Sequence, residues 1–353
     1  MKSKYDKDTA VFLLIGRYIV RFFNIKGDVQ MQLTDIKKRM ELPVIMAPMF
    51  LISNPNIVVG ACEAGIIGTF PALNARTKEV LDSWMTEINE RLLEKTEADP
   101  TAKIAPWGVN FISHSSNKRF YEDLELIEKH QPPIVITSLG DPSPVVKIVH
   151  NYGGLVLSDV TDIKFAKKAL EKGSDGLILV AAGAGGHAGI LNPFAFMDEV
   201  RSFFDGPVAL AGTITKGEQI LAAELLGADF AYVGTHFIAT AESGASAAYQ
   251  ESIIQSAAAD IIYTPAFSGI PANYLIPSIV KAGLDPEKLP EKAGLDFKKL
   301  SDSSARVWKD IWGAGQGVGG TSKTQTVQEA VTELKQAYKQ AKKNPSTYLK
   351  KTI

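Results

Sequence analysis

Short apolar runs alternate with amphipathic segments from residue 43 onward, and this alternation is the main structural signal of the chain. The runs are mostly continuous and do not alternate with polar residues, which is typical of strands buried on both faces of a parallel sheet. There are eight of them, at residues 43–47, 65–69, 107–111, 134–138, 155–158, 176–180, 208–212 and 230–234. The pattern therefore predicts eight parallel strands.

Helical patterns fill the gaps between these runs. Residues 162–172 form one amphipathic stripe, with Thr161 predicted as the N-cap and Gly173 as the stop, and residues 217–226 repeat the scheme. One strand and one helix recur every 20 to 30 residues, roughly the length of a βαβ unit. Eight such units predict an α/β fold, a (β/α)8 TIM barrel with a helical cap after the eighth strand. A doubly wound open sheet is the alternative, but it rarely supplies eight regular units.

The segments outside the barrel are expected to be helical extensions and a cap. The predicted divisions are an N-terminal helical extension (1–42), the cofactor-binding barrel (43–243), a helical cap (244–303), and a glycine-rich loop with a C-terminal helix that closes the barrel (304–353). Residues 11–23 are apolar but contain Arg17 and Arg21, and they are too few to span a membrane. We expect an amphipathic helix packed on the body, with membrane-surface attachment or a homodimer interface as alternatives.

The amino-acid composition excludes several classes of function and site. Lysine and arginine number 38 against 39 acidic residues, for a net charge of −1, so no basic excess indicates nucleic acid. The single cysteine, Cys62, excludes an internal disulfide and a cysteine-rich metal site, which fits a reducing cytoplasm. The five histidines lack metal-ligand spacing, so we predict no metal. These features favour a cytoplasmic enzyme acting on a small molecule.

A glycine-rich loop at residues 181–189 follows the sixth apolar run and carries His187. Glycine allows backbone angles that other residues avoid and lets the main chain lie against a ligand. In a barrel, the loops at the carboxyl ends of the strands build the active site. A proton-transfer side chain on such a loop therefore predicts a catalytic position for His187, in contrast to an ordinary tight turn with an incidental histidine.

Two other strand ends carry candidate ligand contacts. The first run leads into Ala47, Pro48 and Met49, a rigid turn that can present backbone groups to a flat ring. The third run contains Asn110, a polar residue in an otherwise apolar strand, which could also cap the strand end. Both positions are predicted to face the mouth of the barrel.

The seventh and eighth runs end in two Gly-Thr pairs, Gly212-Thr213 and Gly234-Thr235. Loops after these two strands form the usual phosphate site of TIM barrels, where backbone N–H groups and hydroxyls bind the anion. A phosphate site on one side and His187 near a loop suited to a flat ligand together indicate flavin mononucleotide (FMN).

Four other residues, Gln316, His236, His114 and Tyr232, are weighed for a role at the site or in the core. Gln316 lies on a second glycine-rich loop, residues 313–320, and could reach the flavin or the substrate. His236 could contact phosphate or pack at a strand end, and His114 could edge the site. Tyr232, within the eighth run, is expected to be a core residue.

With these motifs in place, the chain resembles the nitronate monooxygenase (2-nitropropane dioxygenase) family of FMN-dependent TIM barrels. That family includes NAD(P)H:quinone reductases and borders the FMN-dependent enoyl-ACP reductases. The resemblance covers about residues 42–320 and rests on residues 42–49, 108–110, 184–189, 209–212, 234–243 and 315–316. The Gly-Gly-His element at residues 185–187 is the most specific of these motifs.

The resemblance implies residue roles and an activity. His187 is implied as the catalytic base or acid over the flavin. The implied cofactor-binding set adds backbone glycines to the candidates above: Ala47, Pro48, Met49, Asn110, Gly185, Gly186, Gly212, Thr213, Gly234, Thr235 and Gln316. The implied reaction is oxidation of nitroalkanes or alkyl nitronates with O2 to carbonyl compounds and nitrite. An NAD(P)H-dependent reductase of quinones or enoyl thioesters is the alternative, and a barrel that only binds FMN or a phosphorylated metabolite is a non-enzymatic one.

Four positions depart from the family pattern. Val180 and Gly183 stand where Gln and Glu are common before the Gly-Gly-His element. Thr213 replaces the second glycine of an Ala-Gly-Gly-Ile turn, and His236 replaces the arginine of a Gly-Thr-Arg turn. Because the core FMN contacts come from the backbone, we expect FMN binding to persist, while the substrate is left open.

Overall fold

The computed structural model describes residues 31–114, 117–290 and 309–344. The apolar segment 11–23 and most of the predicted N-terminal extension lie outside the described residues. Within the described part of the chain, no helix is both long and apolar enough to cross a membrane.

Eight parallel strands form the central sheet, as the apolar runs predicted. They are β1 (Val44–Met46), β2 (Gly68–Pro71), β3 (Trp107–Ser113), β4 (Ile134–Gly140), β5 (Leu155–Val160), β6 (Gly176–Val180), β7 (Val208–Ala211) and β8 (Phe230–Val233). Neighbours in the chain are neighbours in the sheet, and β8 pairs with β1 through Ala231 and Val44. A bridge between Ile45 and Ile67, just before β2, closes the circle. The TIM-barrel prediction is confirmed.

The second strand begins later than the sequence pattern indicated. Residues 65–69 were predicted to be extended, whereas β2 starts at Gly68. Gly65 has φ of +82° and forms the turn that ends the preceding helix, so it cannot also begin a strand. The apolar run therefore includes the turn and the bridge as well as the first residues of the strand.

Helices surround the barrel and cap it. In chain order they are α1 (Leu33–Lys38), α2 (Pro55–Glu63), α3 (Lys78–Ala98), α4 (Phe120–His130), α5 (Ser143–Asn151), α6 (Ile163–Glu171), α7 (Pro193–Arg201), α8 (Gly217–Leu225), α9 (Thr235–Ile238), α10 (Ala247–Gln255), α11 (Ile276–Lys281) and α12 (Val327–Lys343). The N-cap of α6 is Asp162, whose carboxylate accepts from the Phe165 N–H at 2.8 Å, and not Thr161 as predicted. Phe165 is the third residue of the helix, and its N–H is one that an N-cap side chain usually accepts from, which places the cap at Asp162.

The C-terminal helix completes the ring of helices. Because α9, which follows β8, has only four residues, α12 packs beside α8 and α2 in the place of a full eighth helix. Gly217 makes the α8 contact possible, since a Cβ there would lie 2.2 Å from the Tyr338 backbone nitrogen. Thr326 and Glu329 form a capping box at the start of α12.

The cap contains a small antiparallel sheet in addition to the helices predicted for it. Ile261–Thr264 pairs with Ala272–Leu275, which in turn pairs with Gly186–His187 of the glycine loop. We call these three strands the cap sheet. The cap sheet joins the segment after β8 directly to the loop that carries His187.

Candidate active site

The structure places His187 at the carboxyl-terminal mouth of the barrel, on the edge of the cap sheet. His187 pairs with Ala272 in that sheet, and its side chain is exposed at the mouth. The loop around it is held from the cap: the Asn273 amide donates to the Ala184 carbonyl at 2.6 Å, and the Tyr263 hydroxyl donates to the Ala188 carbonyl at 2.8 Å. The histidine is therefore fixed by the cap as well as by β6.

Ser268 of the cap contacts the imidazole of His187. The Ser268 Oγ lies 3.0 Å from Nε2 of His187 and 2.9 Å from the Ile270 carbonyl oxygen. A hydroxyl has one hydrogen, and a carbonyl oxygen can only accept. We therefore assign the Ser268 hydrogen to Ile270, which makes Nε2 of His187 the donor and places its ring lone pair on Nδ1.

The surroundings of His187 favour the neutral ring. The side chain reaches the surface at the mouth, but the surrounding loop and cap remove part of its hydration, and this lowers the pKa of His187 below its ordinary value of 6.5. The ring is therefore neutral near pH 7, the state in which an imidazole can accept a proton.

The two Gly-Thr turns lie against the second glycine-rich loop. The Gly315 N–H donates to Oγ1 of Thr235 at 2.9 Å, and the Gln316 N–H donates to the Gly183 carbonyl at 2.9 Å. The Thr215 hydroxyl donates to the Gly317 carbonyl at 3.1 Å. The loops after β6, β7 and β8 and residues 313–320 thus meet at one side of the mouth, where the sequence predicted a phosphate site.

Thr213 has an unusual backbone conformation at this junction. Its φ is +62°, in the left-handed region that β-branched residues rarely adopt, and it follows Gly212 with φ of +124°. This is the position at which the family pattern has glycine. Strain of this kind persists where the surrounding structure fixes it, which is common at ligand sites.

Gly183 offers a direct test of this crowded junction. A Cβ on Gly183 would lie 2.5 Å from Oγ1 of Thr213 and 3.0 Å from Oε1 of Gln316, and its φ is +83°. Gly283 has a similar φ of +79° but nothing within 4 Å. We expect Gly183→Ala to weaken FMN binding by about tenfold, about 1.4 kcal/mol, because Thr213 and Gln316 must move. Titration of FMN followed by fluorescence quenching measures this.

Gly283→Ala is the matched control, because it meets the same backbone penalty without the contacts. We expect both variants to lose about 1 kcal/mol of unfolding free energy from the positive φ, and only Gly183→Ala to lose FMN affinity. Equal FMN affinity in both variants would contradict the placement of the phosphate site here.

The turn after β1 is ordered by Asn74, which the sequence analysis missed. The Asn74 amide donates to the carbonyls of Met49 and Ser53 at 3.0 and 2.8 Å, and its oxygen accepts from the Leu51 N–H at 2.9 Å. Ala47 and Pro48 precede this clamp and are partly buried. The predicted flavin-facing turn is therefore held in a defined conformation from the end of β2.

Asn110 is part of a chain of buried polar groups inside the barrel. Its Nδ2 donates to the Ile136 carbonyl at 3.2 Å and to Oγ of Ser138 at 2.6 Å. The Ser138 hydroxyl in turn donates to Oδ2 of Asp159 at 2.5 Å. Ser138 and Asp159 had no signal in the sequence, because each lies at the end of an apolar run where one polar residue is common.

Burial removes His236 from direct chemistry. His236 is buried, with Nδ1 3.1 Å from the Thr321 hydroxyl, and burial lowers its pKa to about 4. A neutral His236 supplies no positive charge for a phosphate, which favours the packing role over the phosphate contact. His114 is exposed one residue beyond β3.

One known protein family matches most of the chain. The sequence profile described as nitronate monooxygenase matches residues 31–340, most of the chain. The chain belongs to the nitronate monooxygenase family.

Members of this family and its neighbours are similar along most of their length. A nitronate monooxygenase of Paraburkholderia phytofirmans is 28% identical over 292 residues, covering 71% of this chain and 78% of that protein. A carboxyl-CoA dehydrogenase of Rhodococcus jostii, named for a hydroxy-methyl-oxo-octahydroindene substrate, is 24% identical over 289 residues, covering 76% and 78%.

Two solved structures share the fold. FabK from Thermotoga maritima superposes with a TM-score of 0.73 at 22% identity, covering 91% of this chain and 99% of that one. A nitroalkane oxidase from Streptomyces ansochromogenes gives a TM-score of 0.73 at 22% identity, covering 87% and 99%. As a member of the nitronate monooxygenase family, the protein is an oxidoreductase.

Proposed function

We propose that the protein is an FMN-dependent nitronate monooxygenase that oxidises nitroalkanes or alkyl nitronates with O2 to carbonyl compounds and nitrite. The observation that carries the proposal is His187, neutral and oriented by Ser268, at the barrel mouth on the loop that adjoins the Gly-Thr turns. Bound FMN would supply the electron transfer and oxygen chemistry, and the protein supplies position and electrostatics.

The backbone N–H groups and hydroxyls gathered at the mouth support FMN as the cofactor. Backbone segments of four loops approach closely at the Gly-Thr side: a Cβ on Gly185 would lie 2.8 Å from the Gly315 nitrogen. Gly212, Thr213, Gly234 and Thr235 would hold the phosphate there, with Gly185, Gly186 and Gln316 beside them. Asn110, within β3 across the barrel from β7, and the Ala47-Pro48-Met49 turn, which lies beside Gly234, would contact the flat ring.

His187 is proposed to act on the substrate carbon. The α-carbon of a nitroalkane loses its proton to the imidazole of His187, and the electron pair of that C–H bond moves into the nitro group to give the nitronate. Nε2–H remains donated to Ser268, which stabilises the imidazolium that forms. With a nitronate as substrate, the same ring orients the anion.

An absorbance-monitored assay of the purified protein tests the proposal. We expect the protein to bind FMN, to turn over nitronates with release of nitrite, and to show little reduction of its flavin band by NADH or NADPH under anaerobic conditions. A protein that takes up no FMN would contradict the cofactor, and rapid bleaching by NAD(P)H without nitrite release would contradict the substrate.

The second candidate, an NAD(P)H-dependent reductase of quinones or enoyl thioesters, is favoured by the apolar rim of the mouth. Ile190 is 77% exposed and Phe194 is 65% exposed just after the His187 loop, and Ile270 is 40% exposed beside Ser268. An apolar rim of this size suits a substrate longer than a small nitroalkane. The anaerobic arm of the same assay distinguishes the two candidates.

Ser268 provides a further test of how His187 is oriented. Removing the acceptor of Nε2–H in Ser268→Ala destabilises the charged ring, so the pKa of His187 falls further and the ring tautomer is no longer fixed. We expect turnover of nitroalkanes to fall by about tenfold, with the acid limb of the kcat/KM profile displaced to lower pH. Ser268→Thr keeps the hydroxyl, so we expect its nitroalkane turnover and the position of its acid limb to match those of the unmodified protein. Identical profiles in Ser268→Ala and the unmodified protein would refute this role.

A further inference from the structure

One layer of side chains closes the barrel interior directly below the mouth, and it contains a carboxyl group. Asp159 lies on β5 in register with Ile178, whose side chain belongs to the apolar interior of the barrel. Leu157, two residues earlier on the same face, belongs to that interior as well. A carboxyl at this depth is costly to ionise, so its presence requires a reason other than packing.

Hydrogen bonds commit one oxygen of Asp159 and leave the other open. Oδ2 accepts from the Ser138 hydroxyl at 2.5 Å, and Ser138 accepts from the Asn110 amide at 2.6 Å. The only hydroxyl hydrogen of Ser138 is donated to Asp159, so Ser138 can only accept from Asn110. The amide nitrogen of Asn110 must therefore face Ser138, which fixes the orientation of the amide. Oδ1 of Asp159 is buried and has no hydrogen-bond partner within the described residues.

The groups around Asp159 do not balance a negative charge. Ser138 from β4, Asn110 from β3 and Tyr232 from β8 face the same layer, and none is a cation. The Tyr232 hydroxyl is likewise buried without a hydrogen-bond partner in the part of the chain that is described. Asp159 contributes to raising the Tyr232 pKa, after loss of hydration, so the phenol stays neutral across the working pH range.

Titration behaviour agrees with this geometry. Burial raises the pKa of Asp159 from 3.8 to about 7, and the Ser138 hydrogen bond only partly opposes that rise. Near neutral pH the group is thus close to its midpoint, and a change of charge nearby shifts its protonation readily.

We propose that Asp159 is a charge-compensating residue for the cofactor: Oδ1 takes up a proton from solvent when the group bound above the layer gains negative charge. The inference rests on the proposed FMN site, because Asn110 joins this hydrogen-bond chain to that site. In balance, a reductant such as dithionite would supply two electrons to bound FMN, the reduced flavin would keep its own proton, and one further proton from solvent would form an O–H bond at Oδ1 while the Asp159–Ser138 hydrogen bond is retained.

The pH dependence of the FMN midpoint potential tests the proposal. Potentials of the FMN-loaded protein are measured with redox dyes from pH 5 to 9 for the unmodified protein, Asp159→Asn and Ser138→Ala. Above about pH 7, we expect the unmodified protein to take up one more proton per two electrons than Asp159→Asn. Ser138→Ala keeps the carboxyl but loses the hydrogen bond that lowers its pKa, so the extra proton is expected to begin at higher pH.

The outcomes separate this inference from the proposed function. Failure of all three proteins to bind FMN would contradict the proposed function. Binding of FMN with the same pH dependence in the unmodified protein and Asp159→Asn would overturn the inference and leave the proposed function standing. If the midpoint potential of Ser138→Ala had the same pH dependence as that of Asp159→Asn, the inference would also be overturned, because the carboxyl would then not be the proton acceptor.

A measurement on the unmodified protein avoids dependence on variants that fold poorly. Infrared difference spectra of the reduced minus the oxidised FMN-loaded protein at pH 8 are expected to show a protonated carboxyl band. Labelling with [4-13C]aspartate is expected to shift that band. A difference spectrum without a label-sensitive carboxyl band would overturn the inference.

Discussion

Replacing His187 with asparagine is expected to lower kcat/KM for neutral nitroalkanes by about 100- to 10,000-fold, the usual contribution of a general base. Asparagine places an amide near the position of the imidazole Nδ1, is too short to reach Ser268, which lies 3.0 Å from Nε2 of the histidine, and cannot accept the α-proton. The variant is expected to keep its fold and its bound FMN. Steady-state rates with nitroethane, together with FMN content from absorbance, measure the effect.

The substrate provides an internal control for this prediction. A nitronate prepared beforehand has already lost its α-proton, so His187→Asn is expected to lose less activity with the nitronate than with the parent nitroalkane. In the unmodified protein, kcat/KM for the nitroalkane is expected to fall as pH drops below 6.5, because the lowered pKa of His187 places its protonation there. Unchanged nitroalkane turnover in an FMN-loaded His187→Asn protein would exclude the base role.

Replacing Asp159 with asparagine is expected to stabilise the protein above neutral pH. The folded state holds a proton on Asp159 up to about pH 7, whereas an unfolded aspartate ionises at its ordinary pKa of 3.8. Between these values the folded state binds more protons, so the free energy of unfolding falls as pH rises from about 4 to about 7. The loss amounts to about 4 kcal/mol at pH 8, and asparagine, which does not ionise, removes it.

Urea unfolding from pH 4 to 8 measures this stabilisation. We expect the curves of Asp159→Asn and the unmodified protein to meet near pH 4 and to separate as pH rises. Asp205→Asn is the matched control, since Asp205 is exposed and is expected to leave the difference near zero at all pH values. If Asp159→Asn were less stable than the unmodified protein at pH 8, the buried carboxyl would be paired in a way that this account omits.

The barrel could be read from the sequence because its strands are self-contained signals. Each apolar run is long enough to be recognised alone, and a strand buried on both faces needs no polar alternation. The cap sheet could not be read this way. Ile261–Thr264 and Ala272–Leu275 are four residues each, and their pairing with Gly186–His187 joins segments far apart in the chain. A strand of four residues depends on the strand with which it pairs, and a local sequence pattern does not identify that partner.

The sequence by itself determined the barrel, the glycine loop with His187 and the Gly-Thr pairs, because strand periodicity, backbone freedom and side-chain chemistry are local properties. Only the tertiary structure decided which groups act on those residues. Ser268 reaches His187 across 81 residues, and Asn110 joins Ser138 across 28 residues, since closing the sheet brings strand ends and the cap together. Burial of Asp159 is also a property of the tertiary structure. Closure of the barrel removes water from its carboxyl group, and this loss of hydration raises its pKa.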